Sequence, residues 1–139
     1  MTAKSKPFSM RLSAATDRLV TAEAQRQRRS KGAVVEALAD EALRCRLFPG
    51  IAFRGTDWDR RPWLIGTALD LWQIADAHRD FDSVEAMAAE GDLSEFQIRL
   101  ALAYQERFPE EIEEMIARNR RSISELRDEF PAFEIVVVE

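Results

Sequence analysis

The sequence predicts a mostly α-helical chain in two parts: a short strand followed by two helices, and then a small acidic helical domain with short β segments. Three observations carry this. Residues 7–13 alternate, with Phe8, Met10 and Leu12 on one face and Ser9 and Arg11 on the other, the period of two that a half-buried strand requires. Two helix-length patterns follow at once. The charge then changes sign: residues 1–47 hold ten Lys plus Arg against five Asp plus Glu, and the remainder holds ten against twenty.

A lone strand leaves backbone donors and acceptors unpaired on both edges, and the nearest downstream strand candidate lies beyond both helices. The same strand of a second copy is the cheapest partner. Ser13 stands where an N-cap belongs, and Ala14 to Arg28 carries Leu19, Val20 and Ala24 as a thin apolar stripe. Ser30 is the next N-cap, before a helix from Lys31 to Arg46 with Val34, Val35, Leu38, Ala42 and Cys45 at helical spacing. A unit this small buries too little surface to fold alone, so dimerisation supplies the missing half. The expected dimer core is Phe8, Met10, Leu12, Leu19, Val34 and Leu38. Cys45 has no intramolecular partner and reads as a small buried hydrophobe.

Phe8 to Ser13, the turn Arg28-Arg29-Ser30-Lys31 and the helix Val34-Val35-Glu36-Ala37-Leu38 resemble a ribbon-helix-helix domain of the Arc, MetJ and CopG kind. The resemblance implies an intermolecular two-stranded β-ribbon that enters the major groove of DNA, with Ser9 and Arg11 as the base readers. Pro7 stands where that family commonly has a third polar reader, which shortens the expected base contact. The residue chemistry agrees. Arg11 can donate two parallel hydrogen bonds to guanine O6 and N7, and Ser9 can donate or accept. Lys4, Lys6, Arg28, Arg29, Ser30, Lys31 and Gly32 suit phosphate contact, the last two through backbone N–H groups at a helix start.

Residues 48–67 read as a linker with short strands. Phe48-Pro49-Gly50 ends the second helix, Ile51-Ala52-Phe53 is one short strand, Arg54-Gly55-Thr56-Asp57 a polar turn, and Pro62 to Ile65 a second apolar segment. Residues 68–126 read as an acidic helical domain. A helix runs to about His78, Asp82 with Glu85 is a capping box for a short helix ending at Gly91, and Ser94 with Gln97 repeats the device. Glu110 opens a further helix after Phe108-Pro109. The helices around Gly91-Asp92 have a helix-turn-helix shape, but Glu85, Glu90, Asp92 and Glu95 are the wrong sign for DNA. A protein-binding module fits better. Residues 127–139 form a tail in which Phe133 to Val138 is β-prone, suited to adding a strand to a partner's sheet edge or folding back on the short strands.

A second resemblance covers most of Phe48 to Arg121. Phe48-Pro49-Gly50-Ile51, Arg61-Pro62, Gly66-Thr67, Leu71-Trp72-Gln73-Ile74, Leu93-Ser94, Ala101 to Tyr104 and Pro109 to Ile112 resemble the small helical family called domain of unknown function 433. That resemblance implies a VapB-like type II antitoxin, partnered by a PIN-like ribonuclease toxin and repressing its own operon through operator DNA. Trp72, Phe96, Tyr104, Phe108, Phe133 and Ile135 are the aromatic and β-prone residues expected to meet the toxin.

Catalytic and cofactor readings find no support. His78 is the only histidine, with Asp76, Asp80 and Asp82 near it but no second imidazole or thiol to complete a zinc site. There is no phosphate-cradling glycine loop and no nucleophile motif. No stretch approaches a membrane span and the start lacks the apolar core of a signal peptide, so the expectation is a cytoplasmic, non-enzymatic protein with no metal or cofactor. The alternative is a stand-alone repressor whose second domain senses a small ligand.

Overall fold

The computed structural model describes residues 5–120 together with Glu125 and Asp128. The chain divides into two compact units, Met1–Leu47 and Phe48–Glu139.

The first unit contains helices α1 (Ala14–Gln27) and α2 (Lys31–Leu47). Ser13 caps α1, its hydroxyl accepting from the Thr16 N–H at 3.2 Å. The helix closes in a Schellman motif. Arg28 takes the left-handed conformation (φ 55°, ψ 45°), its N–H reaching the Gln25 carbonyl and that of Arg29 reaching Ala24. Ser30 restarts the chain as an N-cap, its hydroxyl accepting from the Ala33 N–H at 3.1 Å. Val20, Ala24 and Val34 are buried between the two helices. Val34, expected in the dimer core, therefore already belongs to the core of one chain. Leu19, from the same expected stripe as Val20, is 73% exposed. Residues 5–13 form no regular element, as a single strand with no neighbour must.

The second unit opens with an antiparallel hairpin, β1 (Ile51–Thr56) and β2 (Asp59–Leu64), in which Ile51 pairs with Leu64 and Thr56 with Asp59. Two expectations are corrected here. Arg54, Gly55 and Thr56 extend the strand instead of forming the turn, which is confined to Asp57-Trp58. Gly55 permits this tight reversal, because at φ +116° a Cβ would lie 2.1 Å from the Asp59 carbonyl oxygen. Residues 48–67 are also more than a linker: Ile51 and Leu64 are part of the second unit's core.

Helices α3 (Leu71–His78), α4 (Val84–Glu90), α5 (Glu95–Arg107) and α6 (Pro109–Asn119) follow. The first of these begins three residues later than the helical pattern from Ala68 implies, with Asp70 as its N-cap and the Gln73 side chain accepting from the Asp70 N–H at 2.8 Å. Ser83, one residue beyond the expected Asp82, caps α4 through the Ala86 N–H. Ser94 and Gln97 do form the reciprocal capping box of α5. Against the hairpin pack Leu71, Ile74, Met87, Ile98, Ala101, Tyr104, Ile112 and Ile116 as one core. Phe48 meets Tyr104 and Phe108 edge to face, with ring centroids 5.3 and 6.2 Å apart, and Tyr104 lies tilted against Phe108 at 4.8 Å. None of the described helices is long and apolar enough to cross a membrane.

Candidate nucleic-acid and partner interfaces

In the first unit, Ser9 and Arg11 lie exposed on the extended segment, between Phe8 (82% exposed), Met10 (60% exposed) and the half-buried Leu12. Among the described residues Arg11 has no hydrogen-bond or ion-pair partner, so its guanidinium is uncommitted. The segment runs beside α2. Lys6, Phe8, Ser9, Met10 and Leu12 line one groove of about 1070 Å3 with Asp17 of α1 and Lys31, Gly32, Val35 and Glu36 of α2. One expected reader, Ser9, thus shares a surface with the helix start expected to hold phosphate.

The remaining phosphate candidates are placed unequally. Lys31 is paired with Asp17 at 2.5 Å, but both side chains are about half exposed, and such a pair contributes roughly 0–1 kcal/mol, little enough for a phosphate to displace it. Gly32 has open space where a Cβ would stand. The Ser30 hydroxyl is spent as a cap, and Arg29 is half-buried with one N–H on Gln27 Oε1 at 3.3 Å. Arg28 is exposed, and its backbone is left-handed. Lys4 lies outside the described residues. Of the expected dimer core, Phe8, Met10, Leu19 and Leu38 all present apolar surface to solvent in the single chain.

In the second unit two expected partner contacts are corrected. Tyr104 is 0% exposed and its hydroxyl donates to Glu111 Oε1 at 3.3 Å, while Phe108 packs on Phe48 and Tyr104; both are core. Aromatic spacing on a helix cannot by itself distinguish the inward face from the outward one when both neighbours are mixed. Trp72 is half-buried and its indole N–H donates to Asp70 at 3.3 Å. Phe96 is the exposed member, at 71%. Phe133 and Ile135 lie outside the described residues.

The residue that sequence reasoning missed is Asp70. Its carboxylate is buried, and it accepts from Arg54 Nε at 2.9 Å on one oxygen and from Arg61 Nε at 2.9 Å on the other. Arg54 also lies over the Trp63 ring, 4.9 Å from its centroid. Asp70 and Asp59 together hold the Arg61 guanidinium above its ordinary pKa. This network joins the hairpin to the start of α3. Its only sequence signal was the pair Arg54 and Arg61, which a two-residue turn places opposite one another. Among the described residues no three His, Cys, Asp or Glu side chains are grouped to hold a metal ion.

Comparisons of the chain with protein-family models, with curated proteins and with solved structures find no match.

Proposed function

We propose that the chain is a type II antitoxin: its first unit dimerises through an intermolecular β-ribbon and binds operator DNA, and its second unit binds and neutralises a PIN-like ribonuclease toxin. The observation that carries this reading is the unfinished core of the first unit. Phe8, Met10, Leu19 and Leu38 are apolar and exposed, and they belong to a segment and two helices whose own buried core is three residues, Val20, Ala24 and Val34. Covering such surface is worth about 25 cal/mol per Å2, and a second copy presents the same faces by symmetry. Pairing of two alternating segments would set Phe8 and Met10 inward and Ser9 and Arg11 outward.

The charge division supports the remainder. A unit of net +5 suits a polyanion and a unit of net −10 suits a basic protein, and one operator-bound repressor that also holds a toxin needs both. Neutralisation is then stoichiometric binding, with no reaction at the antitoxin.

The experiment is a pull-down of the tagged full chain from its native cytoplasm, washed in enough salt to strip nucleic acid. A small ribonuclease retained at near one-to-one yield, and inhibited by the chain in a fluorogenic RNA assay, is the expected result. A chain that binds operator DNA but retains no protein would leave a stand-alone repressor and overturn the toxin half.

A further inference from the structure

Between the loop that joins β2 to α3 and the corner that joins α4 to α5, the second unit has an open groove of about 590 Å3. Leu69, Phe81, Met87 and Leu93 give it an apolar floor, and Glu90 and Asp92 stand exposed at its edge. Asp80 and Asp82 flank Phe81 in sequence and are exposed as well. Among the described residues these four carboxylates have no ion-pair partner, whereas Asp59, Asp76, Glu85, Glu95 and Glu113 are each matched with an arginine. Two large apolar side chains adjoin the lining residues in sequence and remain exposed: Ile65 before Gly66, and Phe96 before Gln97.

We infer that this groove is where the second unit receives its protein partner, and that the partner offers a basic amphipathic segment, apolar side chains to the floor and Lys or Arg to the edge. The inference rests on the antitoxin reading and deepens it. A ribonuclease must attract a polyanion, so the surface bordering its RNA path is cationic. An acid-edged apolar groove is complementary to such a border, and its occupation excludes RNA by competition. Charge also argues against the tail as the occupant: residues 127–139 contain Asp128, Glu129, Glu134 and Glu139 against the single Arg127. Phe96 has the properties of an interface anchor, being aromatic, solvent-facing and mounted on a capped helix.

The test uses the isotope-labelled full chain and a synthetic amphipathic peptide of Leu and Lys, with a control peptide in which Glu replaces every Lys. The cationic peptide should shift the amides of Thr67, Leu93 and Gln97 saturably, and the anionic one should not. Phe96→Ala should weaken that binding about tenfold or more, as loss of an anchor does. The pair Glu90→Lys and Asp92→Lys should abolish it, with thermal melting unchanged because all three positions are exposed. Shifts spread over the whole acidic surface, or binding indifferent to Phe96→Ala, would overturn the groove. A second arm separates the two levels. If a ribonuclease is recovered and is inhibited equally by wild type and by these variants, the groove inference falls and the antitoxin reading stands. If the peptide binds as expected but no ribonuclease is recovered, the antitoxin reading falls and the groove stands as a site for a basic segment of another protein.

Discussion

Arg54 and Arg61 stand directly opposite each other across the hairpin, two like charges in register, and the arrangement is tolerated because the buried Asp70 accepts from both. Like charges at facing positions repel. One carboxylate between them converts the repulsion into a clamp from the sheet to α3.

Removing that carboxylate should therefore be costly. Asp70→Asn takes from Arg54 its ion-pair partner and leaves Arg61 only the half-exposed Asp59, and breaking a buried pair costs about 3–5 kcal/mol. Each arginine is about one-third exposed, so the loss should fall near the lower end, at about 3 kcal/mol, measured by urea unfolding of the second unit's signal. A change within error would mean that water already screens the cluster.

Arg28 carries a backbone conformation that suits glycine. Arg28→Gly should stabilise the first unit by about 0.5–1 kcal/mol, since it relieves a side chain at positive φ. On the proposed function it should also weaken DNA binding uniformly across sequences and reduce the salt slope by about one, the signature of a lost phosphate contact. Stabilisation with unchanged DNA affinity would remove Arg28 from the interface.

On the proposed function, Arg11→Ala should weaken operator binding by about 1–3 kcal/mol and relax the sequence preference while leaving the proposed dimer intact. Competition gel shifts with substituted operators measure this. Unchanged binding would exclude Arg11 as a reader.

Glu23 provides a pH test. Hydrogen bonds from Arg26 first, and then Gln27, hold its carboxyl at about 2, below the ordinary 4.5. A group depressed in the folded state binds its proton later than in the unfolded chain, so its stabilising share is complete above about 4.5 and is lost as pH falls toward about 2. Carbon-detected titration of the carboxyl should show that depressed midpoint, and Arg26→Ala should move it back toward 4.5.

Local chemistry was the legible part of this chain. Ser13, Ser30, Ser94 and Gln97 announce helix starts because a short polar side chain before an apolar run has one good use there, and the structure has each of them bonded as expected. Asp82 with Glu85 has capping-box spacing, yet Ser83, an equally good cap one residue on, bonds the Ala86 N–H, because the direction of the incoming chain decides which side chain meets the helix start. The hairpin was underestimated because arginines at 54, 60 and 61 resemble a polar loop until Asp70, distant in sequence, is brought beneath two of them. Tyr104 and Phe108 illustrate the same limit on the partner side, since inward and outward faces of α5 and its exit are separated by packing on Phe48, from outside the helix. Where a feature depends on one residue meeting another far along the chain, pattern alone does not supply it.

On the proposed function the first unit completes its core with a second copy, and sedimentation equilibrium of the full chain measures whether it does. A dimer sediments at twice the chain mass of 15.9 kDa at micromolar concentration, and Phe8→Asp, which sets a charge into the proposed ribbon's inner face, should bring that mass down toward a single chain. A wild-type chain that sediments as a folded monomer, with Phe8 and Met10 left in solvent, would contradict it.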